Sequence, residues 1–577
     1  MVRRPNARRI GVLLLIVTMP VALAACAGSS RSNSEQIIYG ADQFPDNLNP
    51  NISAGNTTAT TNADIGVLPS AFITLPNFEP QYSHELLRAE PKVTGQSPFT
   101  VEYMINPKAT WSDGTPIDAK DFIFAWKSNN PNDADYSADG ALGSKACQTI
   151  GTYPYQVIKA VTGSNDNRTV TATFATPSPD WKQFFHLLLP AHLFVKSSPA
   201  ATCAAFNTGW PSTSKPPVSG GPWSIAAINA TDKTITEVHN ERYWAAKPKL
   251  SKLIFKVVSS GGQALQQALE NNEIDVTYPQ PQLDLVNLLK TTPNITSETE
   301  FGLHLEHIDF NLENPYLADP VLRRAIAMSI DRNDLVRRTV GQFNSNATVA
   351  GNHVFVNNQP GYVNSAPADY TTAHLAKARS LLAGAGYTLS GNTLTKNGKP
   401  ITFTLVTTTN NALRQATQEI IQANLRQIGI AITIKQVDSN VLFSDYKTQG
   451  SMSAGDGDMF LFSWDTTPFL SSNASIYRCV PTGPGGKPDR SREQSNEGLG
   501  CDHATDVLID KALVAPDPAS ANALWNQIDQ RLWADMFSLP LFQRPSFIAY
   551  NKRYDGIHIN ATVDGPLWNS PTWTVKK

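Results

Sequence analysis

Between Pro400 and Val437 the chain changes period twice. "PITFTLVT" alternates apolar and polar residues, as a strand does. "ALRQATQEIIQANLRQIGI" then places Ile421, Leu425 and Ile428 at i, i+4 and i+7, with Gly429 at the end, as in a helix closed by glycine. "AITIKQV" returns to the strand period. A helix that follows a strand in this way buries its apolar face on the strands beside it. Repeated along a chain, the unit builds α/β lobes.

The alternation recurs. Val101, Tyr103 and Ile105 predict a strand. In "WSDGTPIDAKDFIFAWK", Asp113-Gly114 supports a tight turn and Asp118 can cap a helix with Asp121 in its first turn. Phe122, Ala125 and Trp126 then lie at helical spacing. "TVTATF" reads as a strand, and "DWKQFFHLLLP" as a short helix ended by Pro190. "SGGPWSI" is a glycine turn leading into a strand, and "TITEVHNERYW" and "LSKLIFKVV" are strands. "GGQALQQALENNEIDVTY" reads as a helix with Leu265, Ala268 and Leu269 on one face, then a strand from Ile274 to Tyr278. "DPVLRRAIAMSIDRNDLVRRTV" is the strongest helical stretch, with Leu322, Ala325, Ile326 and Ser329 on the buried side. Arg323 and Arg324 are expected on a solvated face or in an ion pair. Residues 480–500, rich in Pro, Gly and charge, read as a surface loop.

The N-terminus carries a separate signal. Arg3, Arg4, Arg8 and Arg9 precede an uncharged run from Ile10 to Ala25. The run is shorter than the roughly 20 residues a membrane-spanning helix needs. A basic start, a short apolar run and small residues before a cut point make an export signal, here 1–25. Leu23-Ala24-Ala25-Cys26 resembles the bacterial lipobox, in which the cysteine is acylated and becomes the first mature residue. Residues 26–35 then form a small, polar tether. The expected location is the extracytoplasmic face of the cell membrane, with the chain held there by lipid.

About 550 residues remain after such processing, too many for one ordinary core. Cleavage would remove four arginines and no acid, so the formal charge moves from −2 to −6, with 43 bases facing 49 acids. No basic patch for nucleic acid is evident. Four cysteines remain: Cys147, Cys203, Cys479 and Cys501. In an oxidising compartment an even number suggests disulfides. Three pairings are open, and proximity in sequence favours Cys147–Cys203 and Cys479–Cys501. A zinc site is the rival, disfavoured because no C-x-x-C occurs.

Six stretches, in order, resemble the family-5 extracellular solute-binding proteins of ABC importers, the oligopeptide- and dipeptide-binding proteins. They are "LNP" at Leu48 to Pro50, "WSDGTPIDAKDF", "GGPW" followed by "NERYW", "ENNEIDV", "DPVLRRAIAMSIDRNDLV" and "LWADMFSLPLF". The likeness spans nearly the whole mature chain and is strongest to the actinobacterial lipoprotein branch. It implies an α/β chain with a two-lobed periplasmic-binding-protein type II fold and an extra inserted domain, the class C arrangement. By that analogy the first lobe takes 36–78, 206–305 and 525–577, the inserted domain 79–205, and the second lobe 306–524. Each favoured cysteine pair then lies within one domain.

The resemblance also implies a mode of action. Two lobes close on a ligand by hinge motion and bury it without chemistry. An extended peptide is held through its main chain, and its ammonium end needs a carboxylate. In peptide-binding relatives that carboxylate is an Asp shortly after a Trp in the second lobe. Here Trp464 and Asp465 adjoin directly in "FLFSWDTTPFL", where the family pattern leaves two residues between them. The alternative is a core Trp464 and an Asp465 that caps a turn. Asn56, in "SAGNTT", falls near the part of the first lobe that lines the cleft, though Asn beside Gly also favours a plain turn.

No G-x-S-x-G, H-E-x-x-H or G-x-G-x-x-G occurs, so no enzyme is expected. "HLEH" puts His304 and Glu306 on one strand face and His307 on the other, so it does not converge on a metal. No cofactor is expected. The expected function is capture of oligopeptides for delivery to a permease and its ATPase subunits by a monomeric lipoprotein. The rival keeps the fold and binds or regulates cell-wall glycolipid of the phosphatidylinositol-mannoside type. The altered spacing at Trp464-Asp465 keeps that rival open.

Overall fold

Two long antiparallel strands, Ile295–Phe310 and Ser538–Asn551, organise the molecule. They pair along most of their length, with register shifts between Phe301 and Leu305 and between Glu306 and His307. Other strands extend the sheet on both sides. Beyond Ile295–Phe310 lie Met459–Asp465, Thr402–Thr408 and Ala431–Val437. Beyond Ser538–Asn551 lie Val276–Thr277, Gln36–Ala41, Lys252–Val257, Thr234–His239 and Trp223–Asn229. The result is one ten-stranded mixed sheet with a lobe built on each half.

This computed structural model describes residues 35–137, 145–149, 155–211, 213–216, 218–258, 262–444, 446–483, 485–490 and 495–576. The expected export signal and Cys26 lie outside them.

Burial separates the halves. Trp111, Trp223 and Trp573 belong to one core, and Ile326, Leu405 and Ile421 to another. The long strands stitch the two together: Ile548 enters the first core, while its neighbours Phe547 and Ala549 enter the second. That is the alternation a strand imposes on successive side chains. Through these strands Glu35–Lys577 holds together as one compact unit.

Within the segment 79–205, Lys92–Gln96, Phe99–Met104, Thr169–Phe174 and Ile158–Ser164 make a separate four-stranded antiparallel sheet. Helix Ala119–Asn129 packs beside it. Asp118 and Asp121 form a reciprocal capping box at its start, which satisfies donors that the first turn leaves free. Cys147 is bonded to Cys203, and Cys479 to Cys501.

Several elements differ from the sequence reading. The helix expected in "DWKQFFHLLLP" is a single 3-10 turn, Trp181–Gln183. Phe185 and Leu187 adopt positive φ, 64° and 47°. Phe184, Phe185, Leu187, Leu188 and Leu189 are all buried, so no polar helix face exists here. Their backbone is satisfied by tertiary partners instead. Phe185 N–H donates to the Tyr155 hydroxyl, Leu187 N–H to Ser70 Oγ and Leu188 N–H to the Pro69 carbonyl. The stretch from Asp319 to Val340 is two helices, Pro320–Ser329 and Arg332–Arg338, the second capped by Asp331.

Arg323 is buried rather than solvated. Its guanidinium donates to the carbonyls of Leu317, Asp535 and Met536. It therefore satisfies carbonyls left free where helix Pro518–Asp535 ends. That helix crosses the expected division at 524/525 and buries Trp525, Ile528 and Leu532 against Val354, Phe355 and Ile509 of the second lobe. The division at 305/306 likewise falls inside strand Ile295–Phe310. We propose that both passages between lobes lie in the two long strands.

Candidate functional site

Asp465 ends strand Met459–Asp465 and faces His304 on the neighbouring strand, where the two residues are direct register partners. His304 Nδ1 stands 2.6 Å from Asp465 Oδ1. Arg544, on the second long strand, reaches the same oxygen at 3.5 Å. Tyr278 follows strand Val276–Thr277 of the first lobe and lies close enough to feel both Asp465 and Arg544. The cluster thus draws on the first lobe, the second lobe and the strands between them.

The setting of Asp465 is unusual for a side chain so open to water. Its side chain is 69% accessible. Yet protein surrounds it closely enough that enclosure opposes ionisation. It stands at a strand end where side chains of the neighbouring strands gather around it. Enclosure is overcome by charge: His304 first, then Arg544 and Arg414, hold the carboxyl well below the usual range. Burial, reinforced by the Asp465 charge and partly offset by Arg544, pushes the Tyr278 hydroxyl up to about 12, so it stays a neutral donor.

On the same strand face, Glu306 and Arg414 form a buried ion pair at 2.6 Å, and Arg414 also donates to Thr408 Oγ1. Arg544 offers something further. Its Nε is buried and has no hydrogen-bond partner among the described residues. An unmet donor of this kind costs about 1–3 kcal/mol.

Trp464 points to the other face of the sheet, as strand alternation requires. It is half-buried, stacks on His307 at 5.7 Å and meets Phe462 edge-on at 4.9 Å. Asn56 is exposed on the loop before helix Thr58–Asp64, which Thr57 caps. The structure therefore brings Asp465 together with His304, Arg544 and Tyr278, and does not bring Trp464 or Asn56 into that contact set. Arg544 and Tyr278 escaped the sequence reading. A lone charge within the apolar run "LPLFQRPSFIAY" was the available signal for Arg544. His304, Glu306 and His307 keep the face assignment that alternation gave them.

A profile of the family described as bacterial extracellular solute-binding proteins, family 5 Middle, matches residues 89–486. The chain belongs to this family. This solute-binding protein is 32% identical over 518 residues to the oligopeptide-binding protein OppA of Mycobacterium tuberculosis, covering 88% of the chain and 79% of that relative. It is also similar to the probable monoacyl phosphatidylinositol tetramannoside-binding protein LpqW of the same organism, at 24% identity over 596 residues, covering 92% and 89%. Among solved structures it resembles the periplasmic EDTA-binding protein EppA, with a TM-score of 0.83 and 25% identity, covering 94% of this chain and 97% of that one. The fold is the two-lobed one the resemblance implied, and the protein is a binding protein, not an enzyme. Its family is extracellular by description. No helix among the described residues is long and apolar enough to cross a membrane.

Proposed function

We propose that this protein is a lipid-anchored receptor that captures oligopeptides between its lobes and hands them to an ABC permease. One observation carries the reading: Asp465 is open to solvent yet held anionic by His304 and Arg544 from the adjoining strands. A peptide's amino end offers an ammonium beside a carbonyl. The ammonium complements the Asp465 carboxylate. His304 holds Asp465 in place from the neighbouring strand. The identity to OppA supports peptide as the ligand class. The protein contributes no chemistry; ATP is consumed by its partners. Trp464 supports that strand end from the other face of the sheet, and Asn56 is proposed as a rim residue of the first lobe.

Glycolipid capture is the second reading, favoured by the likeness to LpqW. Mass spectrometry of ligands co-purified with the mature protein separates the two. Short peptides are expected, and recovery of acylated glycolipids alone overturns the peptide reading. The anchor is tested by Cys26→Ala, which is expected to move the protein from the membrane fraction to the soluble one. Unchanged fractionation overturns it.

A further inference from the structure

Helix His503–Leu513 starts two residues after Cys501, which is bonded to Cys479. The two sulfurs and a ring nitrogen of His503 all lie within 4.8 Å of one another. Asp506 stands beside them. Its Oδ1 accepts the Cys479 N–H at 3.0 Å, and its Oδ2 lies 3.2 Å from His503 Nδ1. No other three cysteine, histidine or acidic side chains gather so closely among the described residues.

The frame around the sulfurs does not depend on the bond between them. Buried Asn496 donates to the carbonyls of Arg478 and Gly500, at 2.9 and 2.7 Å, and accepts the Gly500 N–H at 3.0 Å. Arg478 and Gly500 directly precede the two cysteines, so one side chain clamps both segments. Beyond Cys501, Asp502 caps the helix through the Thr505 N–H and pairs with Arg531 Nε at 2.7 Å. Opening the disulfide therefore leaves two thiols side by side, next to an imidazole that a carboxylate orients. Access favours this disulfide over the other. Cys147 and Cys203 are buried, whereas Cys501 and His503 are exposed, and exposed disulfides are the more readily reduced.

Two thiolates and one imidazole are donors that suit zinc, and three protein ligands leave its fourth tetrahedral position to water. We propose that reduction converts this disulfide into a zinc site formed by Cys479, Cys501 and His503, with Asp506 orienting the imidazole. A dithiol supplies two electrons and two protons to the sulfur–sulfur bond and leaves as its own disulfide. Each cysteine thiol then gives its proton to solvent as its sulfur meets the metal. The ion takes over the closure that the disulfide made, so this corner of the chain has two alternative staples, one for each redox state.

Titration calorimetry with zinc chloride tests this on the full mature protein without a histidine tag, oxidised, or reduced with dithiothreitol and freed of it under nitrogen. The reduced protein is expected to keep its circular dichroism and to bind one zinc per chain, where the oxidised protein binds none. Cobalt(II) in place of zinc is expected to give thiolate-to-metal charge-transfer absorption. Cys501→Ser is expected to lose both binding and absorption. His503→Ala changes an exposed side chain and guards against a folding defect in the first variant. It is expected to keep the absorption and to weaken binding by more than the roughly tenfold to hundredfold that loss of a metal ligand's hydrogen-bond partner costs. A bond that resists the reductant in the folded protein, loss of the native circular dichroism on reduction, or a reduced protein that takes up no zinc overturns the site. So does equal uptake by the oxidised protein, uptake without charge-transfer absorption, or unchanged affinity in His503→Ala.

Discussion

His304 and Asp465 are 161 residues apart in sequence and 2.6 Å apart in space, as register partners on adjacent strands. The pair makes the acid's charge insensitive to mild acid. Asp465 is held well below the ordinary carboxylate range. A carboxyl whose folded value is lowered contributes stability above its unfolded value, near 4, and loses it only as pH falls through the folded one.

Binding of a peptide with a free amino end is therefore expected to persist down to about pH 4, where an ordinary carboxylate would be half protonated. Asp465→Asn is expected to weaken such binding by on the order of tenfold to a hundredfold, with little effect on N-acetylated peptides. Titration calorimetry with both forms across pH 4–8 checks this. Equal losses for both peptides would show that Asp465 does not meet the amine.

Asp180 joins the segment 79–205 to the second lobe through the Ser471 N–H, and Gln183 donates to Ser471 Oγ at 3.2 Å. Asp180→Ala removes the acceptor of the Ser471 N–H and with it this link between the two segments. Ligand release is expected to quicken about tenfold, with a larger radius of gyration in the unliganded protein. Stopped-flow release and small-angle scattering measure the two effects.

Asp64 is fully buried, and neither carboxylate oxygen has a hydrogen-bond partner among the described residues. Burial, then the nearby Glu237, raises its pKa well above the usual value; burial raises Glu237 as well. Here the folded values lie above the unfolded ones. Stability is thus fully present below about pH 4 and is lost as pH rises through the folded values. The melting temperature is expected to fall as pH rises from about 4 toward those folded values. Asp64→Asn is expected to flatten that slope and to stabilise the protein by about 1–3 kcal/mol at the upper end. A wild-type melting temperature independent of pH would refute it.

Glu306→Ala strands the Arg414 charge in the interior. Loss of one partner of a buried pair costs about 3–5 kcal/mol. Urea unfolding is expected to show that loss, with a smaller one for Glu306→Gln.

Local chemistry was legible where neighbours in sequence decide the outcome. The Asp118–Asp121 capping box, strand Thr169–Phe174 and the unit from Thr402 to Val437 follow from spacing and period alone. The stretch Phe184 to Leu189 did not, because its backbone is satisfied by Tyr155, Ser70 and Pro69 rather than by its own turns. Arg323 looked like surface because two of its three acceptors lie about two hundred residues away at the end of another helix. The candidate site shows the same divide. Asp465 was visible through its likeness to a motif, whereas its company of His304, Arg544 and Tyr278 depends on which strands lie side by side.

The slipped register at Phe301–Leu305 and Glu306–His307 has a mechanical result. A register shift bends a strand and sharpens its twist, so the ladder changes direction where His304 stands beside Asp465. We propose that the two halves flex there, which puts a guest held by Asp465 next to the pivot.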